Sequence, residues 1–170
     1  MLLLVMAFAA IGLVVSLFVH LMSFEGVRLG GHALFYGLHA GSILLWVIIA
    51  LVMRPSMGTS WTRETWKLVF AGAPRWMRWM TNGFLAYAVV NFAIFMIAGH
   101  PTKPAAGSRL PPVEEWRGFS GHWMAFYSAG LAALTSAYRQ GVSPRKCPVG
   151  HVVGPGDDFC PVCGAQIAAS

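Results

Sequence analysis

The 170-residue sequence predicts an all-α membrane protein: four transmembrane helices in a bundle, a short amphipathic helix between the second and third, and a small loop-rich module at the C-terminus. Three observations predict it. Hydrophobic residues make up 56% of the chain and charged residues 11%, against about 25% charged in an average globular domain. With a mean hydropathy of +0.61, so short a chain lacks the polar residues to cover a water-facing surface. That excludes a disordered protein, a disulfide scaffold and an ordinary cytosolic enzyme. The apolar residues also fall into four long stretches, and the cysteines gather near the end.

The spans are about 1–22, 31–53, 80–99 and 118–138. Each is about 20 residues, which at helical rise crosses a hydrocarbon core of about 30 Å. Only helices or closed barrels satisfy every backbone group in lipid, and unbroken apolar runs mean helices. Residues 1–22 carry no charge. They lack the basic start and the small-residue cleavage site of a secretory signal, so they read as a retained helix.

Charge predicts orientation. The end reached after the first span carries Arg28, Lys103, Arg109 and Arg117. The opposite end carries Arg54, Arg63, Lys67, Arg75, Arg78, Arg139, Arg145 and Lys146. The positive-inside rule puts this richer end, with both termini, in the cytoplasm of a cell bounded by an inner membrane.

Between the second and third spans, Trp61, Thr65, Leu68 and Val69 recur at helical spacing, with Arg63, Glu64 and Lys67 turned away. This predicts an amphipathic helix over about 60–72 in the headgroup plane, anchored by Trp and Arg. Pro74 then suits the start of the next helix, where its missing N–H costs nothing. Gly37-x-x-x-Gly41 and the run Ser128, Ala129, Gly130 predict close helix packing. Tyr87 and Asn91 share a face of the third span. They are expected to bond across to another helix.

The domain division is 1–140 for the bundle, 141–146 for a linker and 147–166 for the terminal module. That module reads Cys147-Pro-Val-Gly-His151, then Cys160-Pro-Val-Cys163-Gly. Paired donors at short spacing let one tight turn present two ligands, and zinc takes four such ligands in a tetrahedron. Cys147, His151, Cys160 and Cys163 are therefore the predicted ligands of one structural zinc. About 20 residues with so little apolar content need the metal to fold. A disulfide plus a spare thiol is the competing reading, disfavoured in a reducing cytoplasm. Four protein ligands leave no open coordination position for catalysis. No Lys or Arg follows Cys147, so the module has no basic face for nucleic acid. A protein partner at the ribbon is expected instead, with the lipid bilayer around the helices; the chain is also compatible with a homo-oligomer.

This segment resembles the zinc ribbons found at the ends of bacterial proteins. The stretches Gly72-Ala-Pro-Arg-Trp-Met-Arg-Trp-Met80 and Trp116-Arg-Gly-Phe-Ser-Gly-His-Trp-Met-Ala-Phe-Tyr-Ser128 are similar to those of an uncharacterised family of bacterial multi-span proteins with a terminal zinc ribbon. The resemblance implies the domain layout and carries no activity with it.

Histidines form the second pattern. His20, His32, His39, His100 and His122 all fall toward the less basic end. Ionisable groups in a membrane are costly and usually point inward. They read as interfacial residues bonding a neighbour or water, which is cheap for His20 and His100 at helix ends, as a polar interhelical network, or as ligands of a second metal or a haem. His39 lies deepest and is expected to pair with His122. No phosphate loop, nucleophile elbow or His-Glu-x-x-His occurs, and no span holds a carboxylate. No catalytic residue is nominated. The reading is a structural or docking membrane protein, with a small redox or metal-handling protein as the alternative.

Overall fold

The computed structural model describes residues 1–57, 63–97, 112–142, 146–151, 153 and 157–167. These contain helices α1 (Leu2–Phe24), α2 (Gly31–Met57), α3 (Arg63–Phe70), α4 (Arg75–Ile97) and α5 (Val113–Val142). Three of them are long and apolar enough to cross a membrane: α1, α2 over Gly31–Met53, and α4.

Helix boundaries follow backbone bonding more closely than hydropathy. α4 starts at Arg75, not at 80, because the Pro74 carbonyl accepts the N–H groups of Met77 and Arg78 at 3.1 and 3.2 Å. The Pro112 carbonyl likewise accepts from Glu115 and Trp116 and opens α5 ahead of 118. Glu114 and Glu115 occupy the first turn of α5, where their charge favours the positive end of the helix dipole. α1 and α2 also run past the expected ends of their spans.

Helix α5 is the hub. Against α1, Gly12 leaves room for the Tyr127 ring. Against α2, Phe35 meets Trp116 and Trp123 edge-on, and Gly130 faces Leu45 and Ile49. Against α4, Gly118 and Gly121 lie under Phe95, Asn91 and Ala88, while Ala132 packs with Ala73 and Met77. A helix with neighbours on several sides needs no apolar exterior of its own. Ser120, Ser128 and Ser136 are accordingly buried on α5. This explains why α5, at 30 residues, does not have the composition of a free-standing span.

The contacts run parallel for α2 (35 with 116, 39 with 123, 45 with 130) and antiparallel for α1 and α4. The bundle is therefore up-down-up-down, with the start of α1 and the end of α5 at one end. Its outer faces are apolar: Leu4, Ile11, Val14, Ile43, Leu51, Val89, Ile94 and Ile97 are all more than half exposed.

Helix α3 ends at Phe70, short of the expected 72, and is docked, with Val69 fully buried and Trp66 edge-on to Trp46 of α2 at 6.1 Å. The Gly72 N–H donates to Ser136 Oγ at 2.9 Å, tying the α3–α4 turn to α5. Trp61 and the side chains of Thr65 and Leu68 lie outside the described residues. The Gly37-x-x-x-Gly41 expectation needs correction. Gly41 faces the Tyr127 hydroxyl, but a side chain at Gly37 would meet open space. The two positions are one turn apart, and only the deeper one reaches α5.

Residues 143–145 of the expected linker lie outside the described residues. The described residues of the terminal module form turns, an antiparallel bridge between Phe159 and Gln166, and a small core of Cys147, Val153 and Cys160.

Candidate metal centre

The terminal module is two copies of one turn. In the second, the Cys160 N–H donates to the Ala165 carbonyl and the Gly164 N–H to the Cys160 carbonyl, both at 2.8 Å. In the first, the Cys147 N–H donates to the His151 carbonyl at 2.9 Å and the Gly150 N–H to the Cys147 carbonyl at 2.8 Å. The glycines take φ of 71° and 96°, a region that side chains with a Cβ disfavour. The first turn is one residue shorter and has no counterpart of Cys163. His151 stands where Ala165 stands in the bonding, and its longer side chain brings the fourth donor back to the centre.

The donors converge. Cys147 Sγ lies 3.7 Å from Cys163 Sγ and 3.6 Å from His151 Nδ1, and Cys160 Sγ lies 3.8 Å from the same nitrogen. All four donor atoms are within 4.8 Å of one another, so one metal ion could touch them all. The three thiols are free, and 3.7 Å is far beyond a disulfide bond of about 2.05 Å. Burial pushes the Cys147 thiol up, but backbone hydrogen bonds from His151 and Val149 and side-chain bonds from Cys160 and Cys163 bring it down to about 6. It is thus poised as a thiolate, the form a metal binds. At Cys163 the Ala165 backbone bond lowers the thiol, but burial, then the Cys160 and Cys147 side chains, outweigh it and push it up. The pair holds its negative charge mainly on Cys147.

At the other end of the bundle the histidines disperse among separate partners. His20 is buried between three helices. Its Nε2 meets the Tyr87 hydroxyl of α4 at 2.5 Å and its Nδ1 meets Ser120 Oγ of α5 at 2.7 Å. Ser120 donates its own proton to the Arg117 carbonyl at 3.1 Å. Its oxygen must therefore accept from His20 Nδ1–H, which leaves Nε2 to accept from Tyr87. The hydrogen bonds run from the Tyr87 hydroxyl through His20 and Ser120 to the accepting Arg117 carbonyl, and both imidazole nitrogens are engaged. Arg117 Nη2 donates to the Ser23 carbonyl at 2.9 Å and its guanidinium lies 4.5 Å over the Phe24 ring. Asn91 Nδ2 donates to the carbonyls of Arg117 and Gly118 at 2.8 and 3.2 Å.

His39 does not bond His122. Its Nδ1 accepts the indole N–H of Trp123 at 3.1 Å. His122 Nδ1 meets the carbonyl of Gly118 on its own helix at 3.3 Å, and its ring lies edge-on to Phe92. Both imidazoles contact the Phe119 ring, at 4.9 and 6.3 Å between centroids. The rotation of α5 turns His122 toward α4 and Trp123 toward α2, one residue apart and about 100° around the axis. His32 stacks on Tyr36 at 5.8 Å, and His100 lies outside the described residues. Among the described residues, the Cys147, His151, Cys160 and Cys163 group alone brings three or more His, Cys, Asp or Glu side chains within reach of one ion.

Ser120, Arg117 and Trp123 escaped the sequence reading. Ser120 and Arg117 sit at i and i−3 on α5, an ordinary helical spacing that points to no partner. No protein-family model, curated protein or solved structure matches this chain.

Proposed function

We propose that this chain is a multi-pass protein of a bacterial inner membrane that holds a zinc-ordered ribbon at the cytoplasmic face as a docking module. One observation carries the reading: the donor distances of the terminal module. Around a tetrahedral zinc with Zn–S of about 2.3 Å and Zn–N of about 2.0 Å, sulfurs stand about 3.8 Å apart and sulfur and nitrogen about 3.5 Å apart. Three of the six donor separations, at 3.7, 3.6 and 3.8 Å, match that tetrahedron, and all six lie within 4.8 Å. Zinc bound by Cys147, His151, Cys160 and Cys163 would supply the ordering energy of a module whose core is three residues. With all four positions filled by protein, its role is structural.

The bundle would span the bilayer with α1, α2 and α4 facing lipid and α5 shielded among them, the apolar outer faces meeting hydrocarbon. Basic residues at the ribbon end support a cytoplasmic assignment. The kinship with uncharacterised bacterial multi-span proteins bearing a terminal ribbon belongs to the same proposal.

The test is elemental analysis and an optical spectrum of the purified full chain. One zinc per chain and no absorbance in the visible supports the reading. A Soret band, or metal that survives loss of Cys160, would transfer the function to the histidine end.

A further inference from the structure

The terminal module buries Val153 with Cys147 and Cys160 but leaves three large apolar side chains exposed. Val149 is 66% exposed, Val162 69% and Phe159 60%. Val149 and Val162 are not scattered. Each is the residue two after the first cysteine of its turn, following Pro148 or Pro161, so the two turns present the same side chain at the same place. The turns meet at one donor set, with Cys147 and Cys163 sulfurs 3.7 Å apart, so each valine lies within two residues of a donor of the same set. Neither tip, 147–151 or 160–164, contains an Asp, Glu, Lys or Arg.

The tether decides what can cover this surface. Cys147 follows the end of α5 at Val142 by five residues, a reach of about 17 Å even when fully extended. The headgroup layer on each side of a bilayer is itself about 5–8 Å thick. The module therefore cannot leave the neighbourhood of the surface from which α5 emerges. Tethering at this length gives an effective concentration in the millimolar range, so a weak intrinsic preference is enough to seat the tips. Arg139 and Lys146 flank the tether and are both exposed, placed to favour anionic headgroups.

We infer that the ribbon docks on the lipid surface of its own membrane, inserting Val149 and Val162. This rests on the membrane reading above and names what the docking module touches: phospholipid, at the interface between headgroups and acyl chains. Zinc bound by Cys147, His151, Cys160 and Cys163 would hold both turns, and so both valines, on one module.

The experiment is site-specific photocrosslinking with benzoylphenylalanine at Val149, at Val162 and, as an exposed control, at Gln166, in full-length protein in native membranes and in phosphatidylethanolamine–phosphatidylglycerol liposomes. Lipid adducts at 149 and 162 several-fold above those at 166, in both settings, are expected. Protein adducts at the tips in native membranes, or tip adducts no more abundant than at 166, would overturn the inference. As a second measurement, Val149→Asp with Val162→Asp should keep one zinc per chain while proteolysis of the tail in liposomes rises several-fold. Unchanged proteolysis with zinc retained would also refute the docking. Absence of zinc from the unaltered chain, or its recovery outside the membrane fraction, would instead count against the underlying reading.

Discussion

Replacing His20 by leucine tests the polar junction most directly. The side chain is 4% exposed and makes two hydrogen bonds, to Tyr87 and Ser120. Interhelical hydrogen bonds in membrane proteins average about 0.6 kcal/mol and reach about 1.7, so the pair should contribute about 1–3 kcal/mol. Ser120 keeps the Arg117 carbonyl, but Tyr87, well inside α4, loses its acceptor, which places the loss toward the upper end of that range. Tyr87→Phe removes one of the two bonds and should cost about 0.6–1.7 kcal/mol. His20→Leu already breaks that bond, so the double variant should be no less stable than His20→Leu alone. The coupling energy is then at least the cost of Tyr87→Phe. Reversible unfolding in mixed micelles measures all four corners of the cycle. Additive losses would show that the two side chains do not interact, and loss of a bound chromophore from His20→Leu would make His20 a ligand.

Three further outcomes are expected. Gly12→Ala places a methyl group inside the Tyr127 ring, which cannot withdraw because its hydroxyl donates to the Leu38 carbonyl at 3.0 Å; overpacking should cost about 1–3 kcal/mol, with Tyr127→Leu restoring part of it, and additive losses in an unfolding assay would refute the contact. Cys160→Ser should abolish stoichiometric zinc and open the tail to protease while the bundle keeps its thermal midpoint; a fallen midpoint would mean that the ribbon supports the helices. A membrane-impermeant thiol reagent applied to intact cells with a zinc chelator should leave Cys147, Cys160 and Cys163 unlabelled, and labelling without permeabilisation would reverse the topology.

The long apolar helices and the donor set at the metal centre are legible in the sequence because both are local. A helix long and apolar enough to cross a bilayer is a property of one continuous stretch, and Cys147 with His151, like Cys160 with Cys163, is brought together by a single turn. Even Gly150 and Gly164 mark where those turns need positive φ. Partners across helices are another matter. They depend on rotations and depths that no single stretch specifies. His39 and His122 sit at matching depths on helices that begin at the same end, yet one residue of rotation on α5 gives His39 the Trp123 indole instead. His20, at the end of an uncharged span, looks like an interfacial residue until α4 and α5 close over it with Tyr87 and Ser120. The centrality of α5 is tertiary too. Its serines and glycines make it the least membrane-like of the long helices by composition, and only the neighbours that enclose it explain why it can be so. Local spacing determines which residues a turn can unite, whereas packing decides which side chains meet, because burial is settled between helices and not along them.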